Sequence, residues 1–290
     1  MDKKKKFIIT ADQRLNEKEL DLDVFNFPIA IFSFFKTMAD LQTWEKQISR
    51  FNATRMNHPK SDDSLLHWGK IIQWPMSIWN IEDFGIPIIF VGPVLSGPWV
   101  AMALEELKVL GLKYAIGIGA YGSFSQELQI DDLVIADNAI ISDGTSKEYS
   151  NDSEVKPSKR LLVLIEVILQ RENQKYKKAS VWTTDALYRE SIEKMKMWSK
   201  RGAECVNMET GTFYTVSKEL CIESIYFGFI LDLILTEKWT GWGGLNEETN
   251  SKRNKMQSNL ELIENIAVKV AREIKRDNTY GYDSHKYVTT

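Results

Sequence analysis

Gly117-Ile118-Gly119-Ala120-Tyr121-Gly122 follows a run of strand-forming residues and carries the full GxGxxG spacing. A backbone uses that pattern to approach the phosphates of a dinucleotide, but only when the last glycine opens a helix that crosses over to a parallel strand. About ten residues separate Gly122 from the next apolar run at Leu133, too few for a crossover helix. Two readings remain: a tight structural turn, or a small-molecule site where glycine lets backbone come close to a ligand. Upstream, Ser96-Gly97-Pro98 precedes a helical pattern, and the free N–H groups of a helix N-terminus make Gly97 a candidate anion contact. A third feature is Asp232, the one acid at the end of the apolar run Phe227-Gly228-Phe229-Ile230-Leu231. Burial there favours a protonated carboxyl able to donate, and a structural aspartate capping the next segment is the plainer reading.

These groups need a scaffold, and the hydrophobic pattern supplies one. Residues 7–10, 88–91, 114–118, 133–141, 179–182 and 225–231 read as strands. Between them, 100–110 and the segment after Met208 carry apolar residues at helical intervals, and 254–275 has Ile263, Ile266, Val270 and Ile274 on one stripe. The expectation is an α/β fold, a single domain over 1–290 with a central mixed β-sheet flanked by helices and a polar tail over about 277–290. Residues 52–81 are less regular, and their Trp68, Trp74 and Trp79 point to a core or a subunit interface more than to a base pocket.

A hydrophobic content of 43% with 11% aromatic residues suits a well-buried core for 290 residues. Lysine and arginine total 37 against 40 acids, and the resulting charge of −3 gives no field for a nucleic-acid backbone or an anionic membrane. Two cysteines, Cys205 and Cys221, make no disulfide framework, and no His/Cys cluster has metal-ligand spacing, so neither metal nor cofactor is expected. The apolar stretch after Lys3–Lys6 is too short for a signal peptide or span, which points to the cytoplasm.

Three segments in register carry more information: Asp143-Gly144-Thr145-Ser146-Lys147-Glu148-Tyr149, Thr183-Thr184-Asp185-Ala186-Leu187-Tyr188-Arg189-Glu190 and Val206-Asn207-Met208-Glu209-Thr210-Gly211-Thr212-Phe213-Tyr214. Over about residues 88–234 the chain resembles the nucleoside phosphorylase superfamily, in the branch of uridine phosphorylases, bacterial purine nucleoside phosphorylases and methylthioadenosine nucleosidases. The resemblance implies cleavage of a nucleoside N-glycosidic bond. It places Met208 and Glu209 on the ribose, where a carboxylate can accept from both the 2′- and 3′-hydroxyls. It sets Trp182 against the base, although a core aromatic at a strand end would look the same. It makes Asp232 the catalytic acid toward N7 of a departing purine. It further implies a homo-oligomer, a dimer or hexamer with shared sites.

The chain departs from this pattern at the glycines. Phosphorolytic members hold phosphate with an arginine and a serine or threonine, at positions that are Gly117 and Ala120 here. Gly97, Gly119 and Ala120 remain as the anion or water site, with Arg14 in a partial echo of an N-terminal phosphate loop. Arg50 or Arg55 of a neighbouring copy, and His67 toward the sugar 5′ group, complete the candidates. Phosphate as co-substrate and water both stay open. A nucleoside-binding module without catalysis is the alternative, against which the retained Asp232 counts.

Overall fold

The structure is a computed structural model that describes residues 9–16, 28–34, 53–55, 76–81, 87–234 and 248–279. Its frame is a central mixed sheet. In chain order the elements are α1 (Ala11–Asn16), β1 (Ile29–Ser33), β2 (Ala53–Arg55), β3 (Met76–Ile81), β4 (Pro87–Val91), α2 (Gly97–Val109), β5 (Tyr114–Ser123) and β6 (Leu133–Ile141). There follow α3 (Gly144–Tyr149), β7 (Glu154–Val155), α4 (Lys159–Arg171), β8 (Lys177–Thr183), α5 (Ile192–Ser199), β9 (Cys205–Asn207), α6 (Thr210–Glu219), β10 (Glu223–Leu233) and α7 (Glu248–Thr279).

The strand order is β10-β6-β8-β9-β5-β1-β4-β3-β2, and β10 also pairs with β5. Strands β5, β10, β6, β8 and β9 therefore close on one another as a ring, with β1 to β4 extending from β5. Pairings of β5 with β1 and with β10 are parallel, whereas β10 meets β6 antiparallel. Parallel central strands must be covered on both faces, and their apolar runs are near-continuous for that reason. One face packs Ala115, Tyr121, Tyr226 and Ile230 against Val100 and Leu104 of α2 and Phe213 and Val216 of α6. The opposite face packs Ile116, Ile118, Phe227 and Phe229 against α4 and α7. The apolar stripe Ile263, Ile266, Val270 and Ile274 is buried as its period requires, though α7 is longer than 254–275. Among the described residues, no helix is long and apolar enough to cross a membrane.

Two expectations need correction. Ile9 and Thr10 are not strand, and Phe7 and Ile8 lie outside the described residues. Thr10 instead starts α1 with a reciprocal capping box: Gln13 N donates to Thr10 Oγ1 at 3.2 Å, and Thr10 N donates to Gln13 Oε1 at 3.1 Å. Strand β5, expected to stop at Ile118, runs on to Ser123 and takes the whole glycine motif into the sheet. The motif is neither a turn nor the start of a helix. Residue 52, residues 56–75 with Trp68, Trp74 and His67, the side chain of Trp79, and residues 280–290 lie outside the described set.

Candidate active site

The three motifs converge at the carboxyl ends of β6, β8 and β9. Asp143 caps α3: its Oδ2 accepts from Ser146 N at 2.7 Å and also from Thr212 Oγ1 at 2.8 Å. Asp185 Oδ2 accepts from Gly144 N at 2.7 Å, and Thr183 Oγ1 accepts from Gly211 N at 2.7 Å. Buried polar groups persist where they are paired. Here the pairs lock α3, β8 and α6 together, so most of the motif residues form the support under α6.

On that support stands Glu209, at the head of α6 and 7% exposed. Its Oε1 accepts from Ser96 N at 2.9 Å and its Oε2 from Met208 N at 3.2 Å. Burial raises its carboxyl from 4.5 to about 7, while the two backbone N–H groups work in the opposite direction. Asn207 steadies the turn, its Oδ1 accepting from Thr210 N at 3.1 Å. Met208 is half-buried beside it. The anion at the N-terminus of α2 is thus the protein's own carboxylate. Gly97 serves packing, because a Cβ there would come within 2.6 Å of Thr212 Oγ1. Ser96 has φ 74° and ψ 155°, a conformation that side chains rarely adopt, and it presents its N–H to Glu209 from that strained position.

Asp232 is 7% exposed and lies opposite Gly122 after a bulge in β10, where Ile230 pairs with Tyr121 and Asp232 with Gly122. The extra residue reverses the alternation, so Leu233 packs with the cluster that contains Ile230. Bulges commonly re-aim side chains next to active sites. Glu190, half-buried at the end of the second motif, is raised to about 7, by burial first and the charge of Asp232 second. Two carboxyls therefore share this end of the sheet.

Trp182 is 1% exposed, stacked on Trp198 at 5.8 Å, and its Nε1 donates to Ser142 Oγ at 2.6 Å. It is a wall residue in a small apolar cluster with Met195 and Val206, and a base could reach it only if that cluster opened. Gly119 and Ala120 point to opposite faces of β5, Gly119 toward Tyr226 and Ala120 toward the α4 and α7 side. Arg14 lies in α1, which precedes the first sheet strand; its side chain, like that of Arg55, and all of Arg50 lie outside the described residues.

Residues that the sequence reading missed are Ser96, Asn207, Glu190 and above all Tyr226. Tyr226 pairs with Gly117 across β10 and β5. Its ring stacks on Phe34 at 5.1 Å and meets Phe213 edge-on at 6.2 Å. A Cβ at Gly119 would overlap its phenol oxygen, and one at Gly117 would come within 2.8 Å of its ring. Two glycines facing one strand partner two residues apart were the available signal of a close approach.

The family model of the phosphorylase superfamily matches residues 75–272. An uncharacterized protein of Acanthamoeba polyphaga mimivirus is 29% identical over 154 residues, 53% of this chain and 60% of that protein, so the match spans less than two thirds of that relative. A DeoD-type purine nucleoside phosphorylase of Alkaliphilus metalliredigens is 25% identical over 176 residues, 60% of this chain and 74% of that protein. Among solved structures, an AMP nucleosidase from Bacteroides thetaiotaomicron superposes with a TM-score of 0.62 at 20% identity, covering 92% of this chain and 99% of that one.

Proposed function

The chain belongs to the phosphorylase superfamily, and we propose from there that it cleaves the N-glycosidic bond of a nucleoside, a purine nucleoside by preference. The observation that carries this reading is Glu209, a buried carboxylate fixed by two backbone N–H groups at the meeting point of α2 and α6. A carboxylate held so rigidly can accept hydrogen bonds from vicinal sugar hydroxyls and keep the ring oriented while C1′ becomes cationic. Its elevated titration adds a pH lever, because only the ionised form accepts from both hydroxyls.

At the other end of the bond, Asp232 supplies the proton that turns a purine anion into a neutral leaving group. Glu190 beside it bears on the same proton, since two neighbouring carboxyls resist ionising together. Trp182 as the base wall, Met208 on the sugar, and a homo-oligomer that completes the site belong to the same proposal.

A panel of purine and pyrimidine nucleosides, followed by chromatography of free base, tests it. Base release from purine nucleosides, lost in Glu209→Ala, is the expected result. Binding of nucleosides without any release would replace the enzyme with a binding module.

A further inference from the structure

Taking the site as glycoside-cleaving, we propose that its second substrate is water and that Tyr226 is the residue that keeps phosphate out and positions the water. Phosphorylase chemistry needs a pocket for a dianion close to the sugar. In this chain the space that Gly117 and Gly119 open beneath β5 is filled by the Tyr226 ring and phenol oxygen, so closely that neither glycine tolerates a side chain. The ring is wedged by Phe34, Phe213 and Tyr121, and burying an anion among such groups requires a compensating cation.

The charged group that acts on the phenol is Glu209, an anion; the other polar groups facing it are the Asn207 side chain, the Ala120 N–H and the Tyr214 hydroxyl. Among the described residues, no lysine or arginine acts on either Tyr226 or Glu209. Among the described residues, a phosphate dianion here would therefore meet like charge and aromatic carbon.

Water meets a fitting donor instead. The Tyr226 hydroxyl is fully buried, and no group within hydrogen-bonding distance accepts its proton. Asn207 and Ala120 offer it N–H groups, so what the phenol lacks is an acceptor for its own proton. A water oxygen beside Glu209 supplies that acceptor. In the reaction the C1′–N9 bond breaks with its electron pair going into the purine ring, whose N7 takes the Asp232 proton. The water oxygen bonds to C1′, and the proton that it loses restores the Asp232 carboxyl. The products are free base and free pentose.

The test uses the full chain, Tyr226→Phe and labelled inorganic phosphate. Equilibrium dialysis should show no phosphate retained by either protein, and this reading does not depend on turnover. Retention by the unmodified protein overturns the exclusion. Cleavage in oxygen-18 water should place the label in free pentose, whereas pentose 1-phosphate overturns the assignment of water. Tyr226→Phe, which keeps the ring and drops the hydroxyl, should lower kcat at least tenfold and leave KM for nucleoside within a factor of two; an unchanged kcat overturns the positioning role. If no nucleoside is cleaved at all, the glycosidase reading fails, and dialysis still decides whether this site takes phosphate.

Discussion

Replacing Glu209 with glutamine separates its electrostatic burden from its hydrogen bonds. In the folded protein the carboxyl titrates near 7, against 4.5 ordinarily. The folded state therefore holds the proton more tightly than the unfolded chain does. Between these two values stability falls as pH rises: the folded protein carries no penalty from Glu209 below about 4.5 and the whole of it above about 7. At about 1.4 kcal/mol per pH unit, the gap amounts to about 3 kcal/mol. Glutamine never ionises, so it escapes that penalty, but its amide can accept from only one of the Ser96 and Met208 N–H groups. Leaving the other opposed by an NH2 costs about 1–3 kcal/mol at every pH. Glu209→Gln should thus be less stable than the parent at pH 5, and the deficit should shrink by about 2.5 kcal/mol and close or reverse by pH 8. Glu190 titrates in the same window in both proteins and cancels in the difference. Urea unfolding of the two proteins at several pH values measures it. A difference that stays flat across that range would refute the assignment of a buried, proton-holding Glu209.

Other consequences follow from packing. Gly119→Ala forces a methyl onto the Tyr226 phenol oxygen and should cost about 1–3 kcal/mol; Tyr226→Phe should recover part of that cost in a double-mutant cycle, and strict additivity of the two would contradict the contact. Ser96→Gly relieves a conformation that glycine alone adopts freely and should raise stability by about 1 kcal/mol, seen as a higher Tm; a lower Tm would contradict it. Asp143→Ala removes the cap of α3 and the acceptor for Thr212, and should destabilise by about 2–4 kcal/mol in chemical denaturation.

Much of the frame could be read from residue patterns. The apolar run of β6 gives its bounds without error, and β10 was found to within two residues at each end, because buried strands carry long β-branched and aromatic runs. The three motifs could be read as a set, and the structure shows why they belong together: Thr183 accepts from Gly211 and Asp143 accepts from Thr212, so the third motif is tied to each of the other two. The missed features arise from tertiary contact. Whether Gly117 and Gly119 end a strand or sit inside one depends on Tyr226, more than a hundred residues away. Thr10, expected in a strand, instead joins Gln13 in a capping box whose local hydrogen bonds start α1. Trp182 could not be divided between pocket and core without its neighbour Trp198.

The central claim assigns Glu209 to the sugar and Asp232 to the leaving base, and a change of leaving group tests both at once. Rates of the parent, Asp232→Asn and Glu209→Ala would be compared on a purine nucleoside and on 4-nitrophenyl riboside, whose phenolate departs without a proton. Asp232→Asn should lose about 10²–10⁴-fold on the nucleoside and keep its rate on the nitrophenyl substrate, while Glu209→Ala should lose on both. Equal losses in Asp232→Asn on the two substrates, or no loss in Glu209→Ala, would contradict the account.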